Sequence, residues 1–217
     1  MQDVLADVPI KRFEPVLELG VDAVAPDRTR RMEPGHLKVL HVGRAVRTKG
    51  LRDVVRALAL LPDLPHVTLT SAGAGEELAP CRAEAERLGV AGRVRFLGRV
   101  PRDEVEALYE THDVFCFPSF REPAGGVLYE AMRQGLPVIT ADRGGPASIV
   151  DETSGLKIAV TDPDTYAADI AAALRRLAGA PDLRARLGAG ARAKVAHEGL
   201  WTEKARKMVD LYGRIVA

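Results

Sequence analysis

The stretch VFCFPSFREPAGGVLYEAMRQGLPVIT, residues 114–140, decides the fold. Val114-Phe-Cys-Phe117 is a short apolar run closed by Pro118, which reads as a buried strand. Residues 126–134 follow as a helix stopped by Gly135, and Val138-Ile-Thr140 is another strand. The same rhythm runs outward in both directions. Upstream, a strand over 37–42 closes at Gly43, and a helix over 51–61 carries Leu51, Val54, Val55, Leu58 and Leu61 at helical spacing. A strand over 67–70 then ends near the turn Gly73-Ala-Gly75, and a helix over 76–88 ends at Gly89. A strand over 94–97 follows, then a helix over 102–111 with Pro101 at its start. Downstream come a short helix at 147–151, a strand at 156–160 and helices over 164–177, 183–196 and 202–216. About six strands alternate with helices. That pattern predicts a doubly wound, Rossmann-like α/β domain whose parallel sheet is covered on both faces.

Composition narrows the function classes. The chain has 217 residues, 47% of them hydrophobic, enough for a sizeable core. Thirty-one Lys and Arg against thirty Asp and Glu leave a net charge of +1, which removes the broad positive field that nucleic-acid binding uses. No apolar run approaches the roughly 18 residues of a membrane span, and Asp3 and Asp7 stand where a signal peptide would be basic and then apolar. A cytoplasmic protein is expected. Cys81 and Cys116 cannot build a disulfide framework, and the five histidines show no metal-ligand spacing. Pro9, Pro15, Pro26 and Pro34, with Arg28-Thr-Arg-Arg31 among them, mark residues 1–36 as a linker or an edge segment and not a core element. The expected division is a linker over 1–36, a ligand-binding domain over 37–200 and a terminal helix over 201–217.

In such sheets a ligand sits beyond the carboxyl ends of the strands. The loop Gly43-Arg-Ala-Val-Arg-Thr-Lys-Gly50 sets Arg44 and Lys49 about a strand-to-helix turn. Two cations beside free helix amides suit an anion, though spacing alone equally allows a solvated basic turn. The Gly73-Ala-Gly75 turn lacks the third glycine of a dinucleotide fingerprint, Leu78 standing in its place, and Gly98 occupies the position of the required acid. A tight turn is its better reading. The loop after Phe117 holds Glu122, the pair Gly125-Gly126, and Glu130 one turn into the helix. Both carboxylates can point toward the helix N-terminus; carboxylates accept from vicinal sugar hydroxyls, and backbone amides donate to phosphate. The plainer alternative makes Glu122 a first-turn charge and Glu130 a surface residue. Asp162-Pro-Asp164 reads as helix capping, not as a metal motif. His41 reads as a core or ladder residue, and Cys116 as buried and inert.

Taken in order, Val42-Gly-Arg44, Lys49-Gly50, Gly73-Ala-Gly75, Val94-Arg-Phe-Leu-Gly98, Asp113-Val-Phe-Cys-Phe-Pro-Ser119, Glu122-x7-Glu130-Ala-Met, Gly135-Leu-Pro-Val-Ile139, Gly144-Gly145 and Gly155-Leu156 form a specific set. The set resembles the donor-binding, C-terminal half of the GT-B glycosyltransferases of the retaining group called family 4, or group 1. Gly20-Val-Asp22 is similar to the segment preceding that half, and the last helix, with Trp201, to the helix that crosses back toward the other domain.

The resemblance implies a glycosyltransferase moving a hexose from a UDP- or GDP-linked sugar to an acceptor. Arg44 and Lys49, in the loop that Gly43 opens, would hold the donor diphosphate. Glu130 would bond the ribose hydroxyls and Glu122 the transferred sugar. The amides of Gly125, Gly126 and Val127 would meet phosphate or sugar, and the backbone of Gly98, Arg99 and Val100 would face the base. Glu122, Arg44 and Lys49 are the implied catalytic set, with the leaving diphosphate stabilised by the two cations. The nucleotide sugar is a substrate, and neither a metal nor a cofactor is implied. Pro123-Ala124 replaces a common Gly-Phe pair and Gly126 a larger residue, which bears on the sugar pocket.

The implied partners are the nucleotide sugar and an acceptor domain preceding this half; a membrane enters only with a lipid acceptor, and nucleic acid not at all. At about half the family's length, the chain is expected to bind nucleotide but to transfer sugar poorly or not at all alone. A sugar-nucleotide epimerase or phosphorylase-like enzyme, or a dinucleotide-binding oxidoreductase module, are the competing readings.

Overall fold

A computed structural model of the chain describes residues 20–26 and 33–216. The expected linker features at Pro9, Pro15 and Arg28–Arg31 lie outside the described residues. Six parallel strands form one sheet: β1 (Leu37–Val42), β2 (Val67–Ala72), β3 (Val94–Gly98), β4 (Val114–Phe117), β5 (Val138–Ala141) and β6 (Gly155–Ile158). Between and after them run α1 (Leu51–Ala59), α2 (Leu78–Arg87), α3 (Arg102–Thr111), α4 (Gly126–Arg133), α5 (Gly144–Ile149), α6 (Pro163–Gly179), α7 (Pro181–Lys194) and α8 (Trp201–Val216). The doubly wound α/β expectation is met. Spatial order is β3-β2-β1-β4-β5-β6, so the chain builds outward from β1, returns past it, and reverses direction between β1 and β4. In open α/β sheets ligands bind beside such a reversal.

Strand alternation divides the core in two. Leu37 and Val39 face α1, α2 and α6, packing with Leu51, Val54, Leu58, Ile170 and Leu174. Leu40, Phe115 and Phe117 face the other side with Tyr109 of α3 and Leu128 and Met132 of α4. Burying each such leucine contributes about 1.5–3 kcal/mol. Both cysteines are buried and unpaired; burial pushes the Cys81 thiol up to about 11 and the Cys116 thiol higher still, so neither is reactive. Asp162 caps α6 as expected, accepting from the amides of Asp164 at 3.1 Å and Thr165 at 3.0 Å.

Several boundaries move. The helix expected at 147–151 is α5, which begins three residues earlier at Gly144. The expected bounds leave Gly144-Gly145 outside the helix, but the Gly145 amide donates to the Glu122 carbonyl at 3.0 Å, and a side chain there would strike the carbonyls of Pro123 and Ala124. β2 continues to Ala72 because the Gly43 amide donates to the Ala72 carbonyl at 3.0 Å and prolongs the ladder. The strand expected at 156–160 is Gly155–Ile158, and α7 ends at Lys194. It passes into a widened π turn, Val195–Gly199, whose glycine lies against the Tyr129 ring. Val21 bridges Leu200 there, and the Trp201 amide donates to the Val21 carbonyl at 3.2 Å. Among the described residues no helix is long and apolar enough to cross a membrane.

One side chain closes the exit of α1. The Arg93 guanidinium donates to the carbonyls of Leu58, Leu61, Leu64 and Val67 at 3.0–3.1 Å, satisfying acceptors that a helix end leaves open. Arg93→Ala is expected to lower unfolding stability by about 2–4 kcal/mol, read from urea denaturation midpoints.

Candidate functional site

The loops after β1 and β4 meet where the strand order reverses. The Phe120 amide and the Ser119 hydroxyl both donate to the Thr48 carbonyl at 3.1 Å. Gly50, which ends the one-turn helix Arg47–Lys49 and starts α1, has no side chain because the Pro118 carbonyl occupies that space. The loop after β2 closes on the same region: the Ala45 amide donates to the Ala74 carbonyl at 3.0 Å, and Gly73 lies against the Gly43 carbonyl. The floor of this loop cluster is therefore backbone packed on backbone.

Two predicted side chains converge on that floor from 73 positions apart. Lys49 Nζ pairs with Glu122 Oε2, with only 16% and 12% of the two side chains exposed. The Ala124 amide lies 3.4 Å from Glu122 Oε1, and Lys49 Nζ stands 5.5 Å from the centre of the Phe117 ring. Gly125 then caps α4, whose first residues, Gly126 and Val127, carry amides without an intrahelical acceptor. Arg44 is exposed next to Gly43 and forms no ion pair among the described residues. Arg47, the third cation of the loop, is committed elsewhere: it grips the fully buried Asp53 with bonds of 2.6 and 3.0 Å.

Glu130 is held apart from this pair. Its contacts run to α3, where the Tyr109 hydroxyl donates to Oε2 at 3.2 Å and Arg102 lies 3.9 Å from Oε1. The expectation that both carboxylates point at the α4 N-terminus therefore fits Glu122, while Glu130 is drawn toward α3. Gly98 ends β3 and Arg99 and Val100 follow it; the Gly73 amide donates to the Gly98 carbonyl at 2.7 Å and ties this segment to the loop after β2. Among the described residues no group of three or more His, Cys, Asp or Glu is gathered where it could hold a metal ion.

His41 belongs to the core, as expected, but also supports the site. Its Nε2 lies 3.2 Å from the Lys49 carbonyl, an acceptor, so Nε2 carries the proton. Burial pushes its pKa down to about 4 from an ordinary 6.5. Between pH 6.5 and 4 the unfolded chain then binds the proton that the folded chain refuses. This contribution is complete above pH 6.5 and is lost as pH falls toward 4, up to about 3 kcal/mol. His41→Gln keeps a donor for Lys49 and does not titrate. Melting temperatures measured from pH 7 to 4 should fall less steeply in that variant than in the wild type.

In the sequence, Ser119 stands in the family pattern without a contact of its own, and Tyr109 and Arg102 carry no signal for the site. Ser119 follows a strand-ending proline, and its bond to Thr48 joins distant loops. Tyr109 sits at a helical spacing that reads only as core.

The pattern of the family described as Glycosyl transferases group 1 matches residues 28–194. The chain is 35% identical over 221 residues to the D-inositol 3-phosphate glycosyltransferase of Corynebacterium kroppenstedtii, covering 96% of this chain and 47% of that one. It is 31% identical over 200 residues to a glycogen synthase of Mycobacterium tuberculosis, covering 91% and 47%. The chain thus spans about half the length of these curated relatives. Its fold matches that of Anabaena HepE, solved in complex with UDP and glucose, at a TM-score of 0.72 and 24% identity, over 82% of this chain and 48% of that one. With the family pattern covering most of the chain, and the six-stranded parallel sheet beneath it, this chain belongs to the glycosyl transferases group 1 family.

Proposed function

We propose that this domain binds the nucleoside-diphosphate sugar donor of a retaining hexosyltransferase. The observation that carries this reading is the meeting of Lys49 and Glu122 at the β1/β4 reversal, beside the α4 amides. A diphosphate placed there meets Lys49, the exposed Arg44 and the free amides of Gly126 and Val127. A hexose bonded to its β-phosphate then reaches Glu122, whose carboxylate accepts from the sugar hydroxyls. Glu130 takes the ribose hydroxyls, and the backbone of Gly98, Arg99 and Val100 faces the base. As the anomeric bond breaks, negative charge grows on the departing diphosphate, and Lys49 and Arg44 stabilise it without a metal. The acceptor is met by residues of a further domain, and a lipid acceptor would bring the assembly to a membrane.

A thermal-shift panel of UDP, GDP, ADP and their glucose derivatives tests the reading, because a ligand of the folded state raises the melting temperature. UDP heads the panel because HepE, with the same fold, is complexed with it. A rise with at least one nucleotide is expected, and no rise with any of them would sink the proposal.

A further inference from the structure

Tyr109 is a buried ionisable group for which the donor site as described has no use. Its ring meets Phe115 of β4 edge-on, with centroids 5.7 Å apart at 63°, so core packing fixes where the hydroxyl emerges. That hydroxyl donates to Glu130 Oε2 at 3.2 Å. Burial, reinforced by the Glu130 charge, pushes the phenol well above its ordinary range, and the hydroxyl keeps its proton throughout neutral pH. Glu130 sits on α4 between the buried Tyr129 and Ala131 and is itself only partly buried.

The two carboxylate oxygens have unlike surroundings. Oε2 is held from the core. Oε1 has the Arg102 guanidinium at 3.9 Å, on a side chain that is 80% exposed. An ion pair of that length on an exposed arm is weak and screened, so a ligand hydroxyl displaces it readily. A glutamate held by one oxygen has fewer rotamers to lose when the other accepts a hydrogen bond.

We propose that Tyr109 is a positioning residue that presents Glu130 to the vicinal hydroxyls of a nucleotide ribose. The inference rests on the donor-site reading, which gives Glu130 the ribose, and adds the group that makes the carboxylate selective for it.

The test titrates the full chain with UDP, GDP and ADP, each beside its 2′-deoxy counterpart, for the wild type, Tyr109→Phe, Glu130→Gln and the double variant. Tyr109→Phe keeps the ring against Phe115, and Glu130→Gln probes the same bond from a partly exposed position. The wild type should prefer the ribose form by about tenfold. Tyr109→Phe should lose about fivefold to tenfold of affinity for the ribose form alone, and the double variant should bind no worse than Glu130→Gln. An intact ribose preference in Tyr109→Phe, or an equal loss for both forms, overturns the inference and leaves the donor site standing. Binding without ribose preference in the wild type removes Glu130 and Tyr109 together but keeps the diphosphate site. No binding of any nucleotide by the wild type removes the donor reading itself.

Discussion

Lys49→Ala is expected to weaken binding of a nucleoside diphosphate by about 10- to 100-fold, the scale of a lost hydrogen bond between charged groups. Two effects add. The cation proposed to meet the phosphates disappears, and Glu122, with 12% of its side chain exposed, is left uncompensated beside an incoming anion. The second effect makes the prediction specific. Glu122→Gln should leave nucleoside diphosphate binding intact or tighter, since Lys49 no longer divides its charge, while binding of the nucleotide sugar falls. The double variant Lys49→Ala/Glu122→Gln should bind diphosphate better than Lys49→Ala alone. Calorimetry at two salt concentrations reads all three variants, and the wild-type affinity should decline with salt. Unchanged binding in Lys49→Ala would remove this residue from the phosphate site.

Gly50→Ala should be among the most damaging single-methyl changes available, costing about 3–5 kcal/mol, or roughly 10 °C of melting temperature. Gly50 adopts φ 77°, a left-handed conformation that costs a side-chain-bearing residue about 1–2 kcal/mol. The larger part comes from the Pro118 carbonyl, which occupies the space of the new methyl and accepts the Tyr166 hydroxyl at 3.0 Å. Pushing that carbonyl away disturbs two loops at once. Gly89 supplies the control, since its φ is 71° but a methyl there meets open space. Gly89→Ala should show the conformational cost alone. If the two variants melt together, the close approach of the β1 and β4 loops does not hold the crevice.

Much of the architecture was legible where punctuation is strong. Pro101 and Pro118 bracket α3 and β4, and both elements have the bounds read from the sequence. The start of α5 was not legible at Gly144-Gly145, which lies outside the expected helix at 147–151 but lets that helix start against neighbouring carbonyls. Sequence also exposed Lys49 and Glu122 as candidates, because glycine-rich loops after strands are where ligands bind. It did not show that they touch, since that contact depends on β1 and β4 being neighbours, and strand order is a property of tertiary packing. Arg44, Arg47 and Lys49 look alike in the loop, and only the buried Asp53 distinguishes Arg47 as structural. Tyr109 was hidden for the opposite reason: a buried aromatic at helical spacing looks like core, and most of this one is.

The strand order has a consequence for how the domain breathes. β1 and β4 are the two middle strands, each with a hydrogen-bonded partner on both sides, while among the described residues β3 and β6 each pair with a strand on one side alone. Amides of β1 and β4 should exchange with solvent only when the whole domain opens, and those of β3 and β6 through cheaper local fraying. The loops carrying Lys49 and Glu122 hang from the slow strands; Gly98, Arg99 and Val100 hang from a fast one. A ligand would then find its phosphate contacts already in place, and the edge left free to adjust around its base.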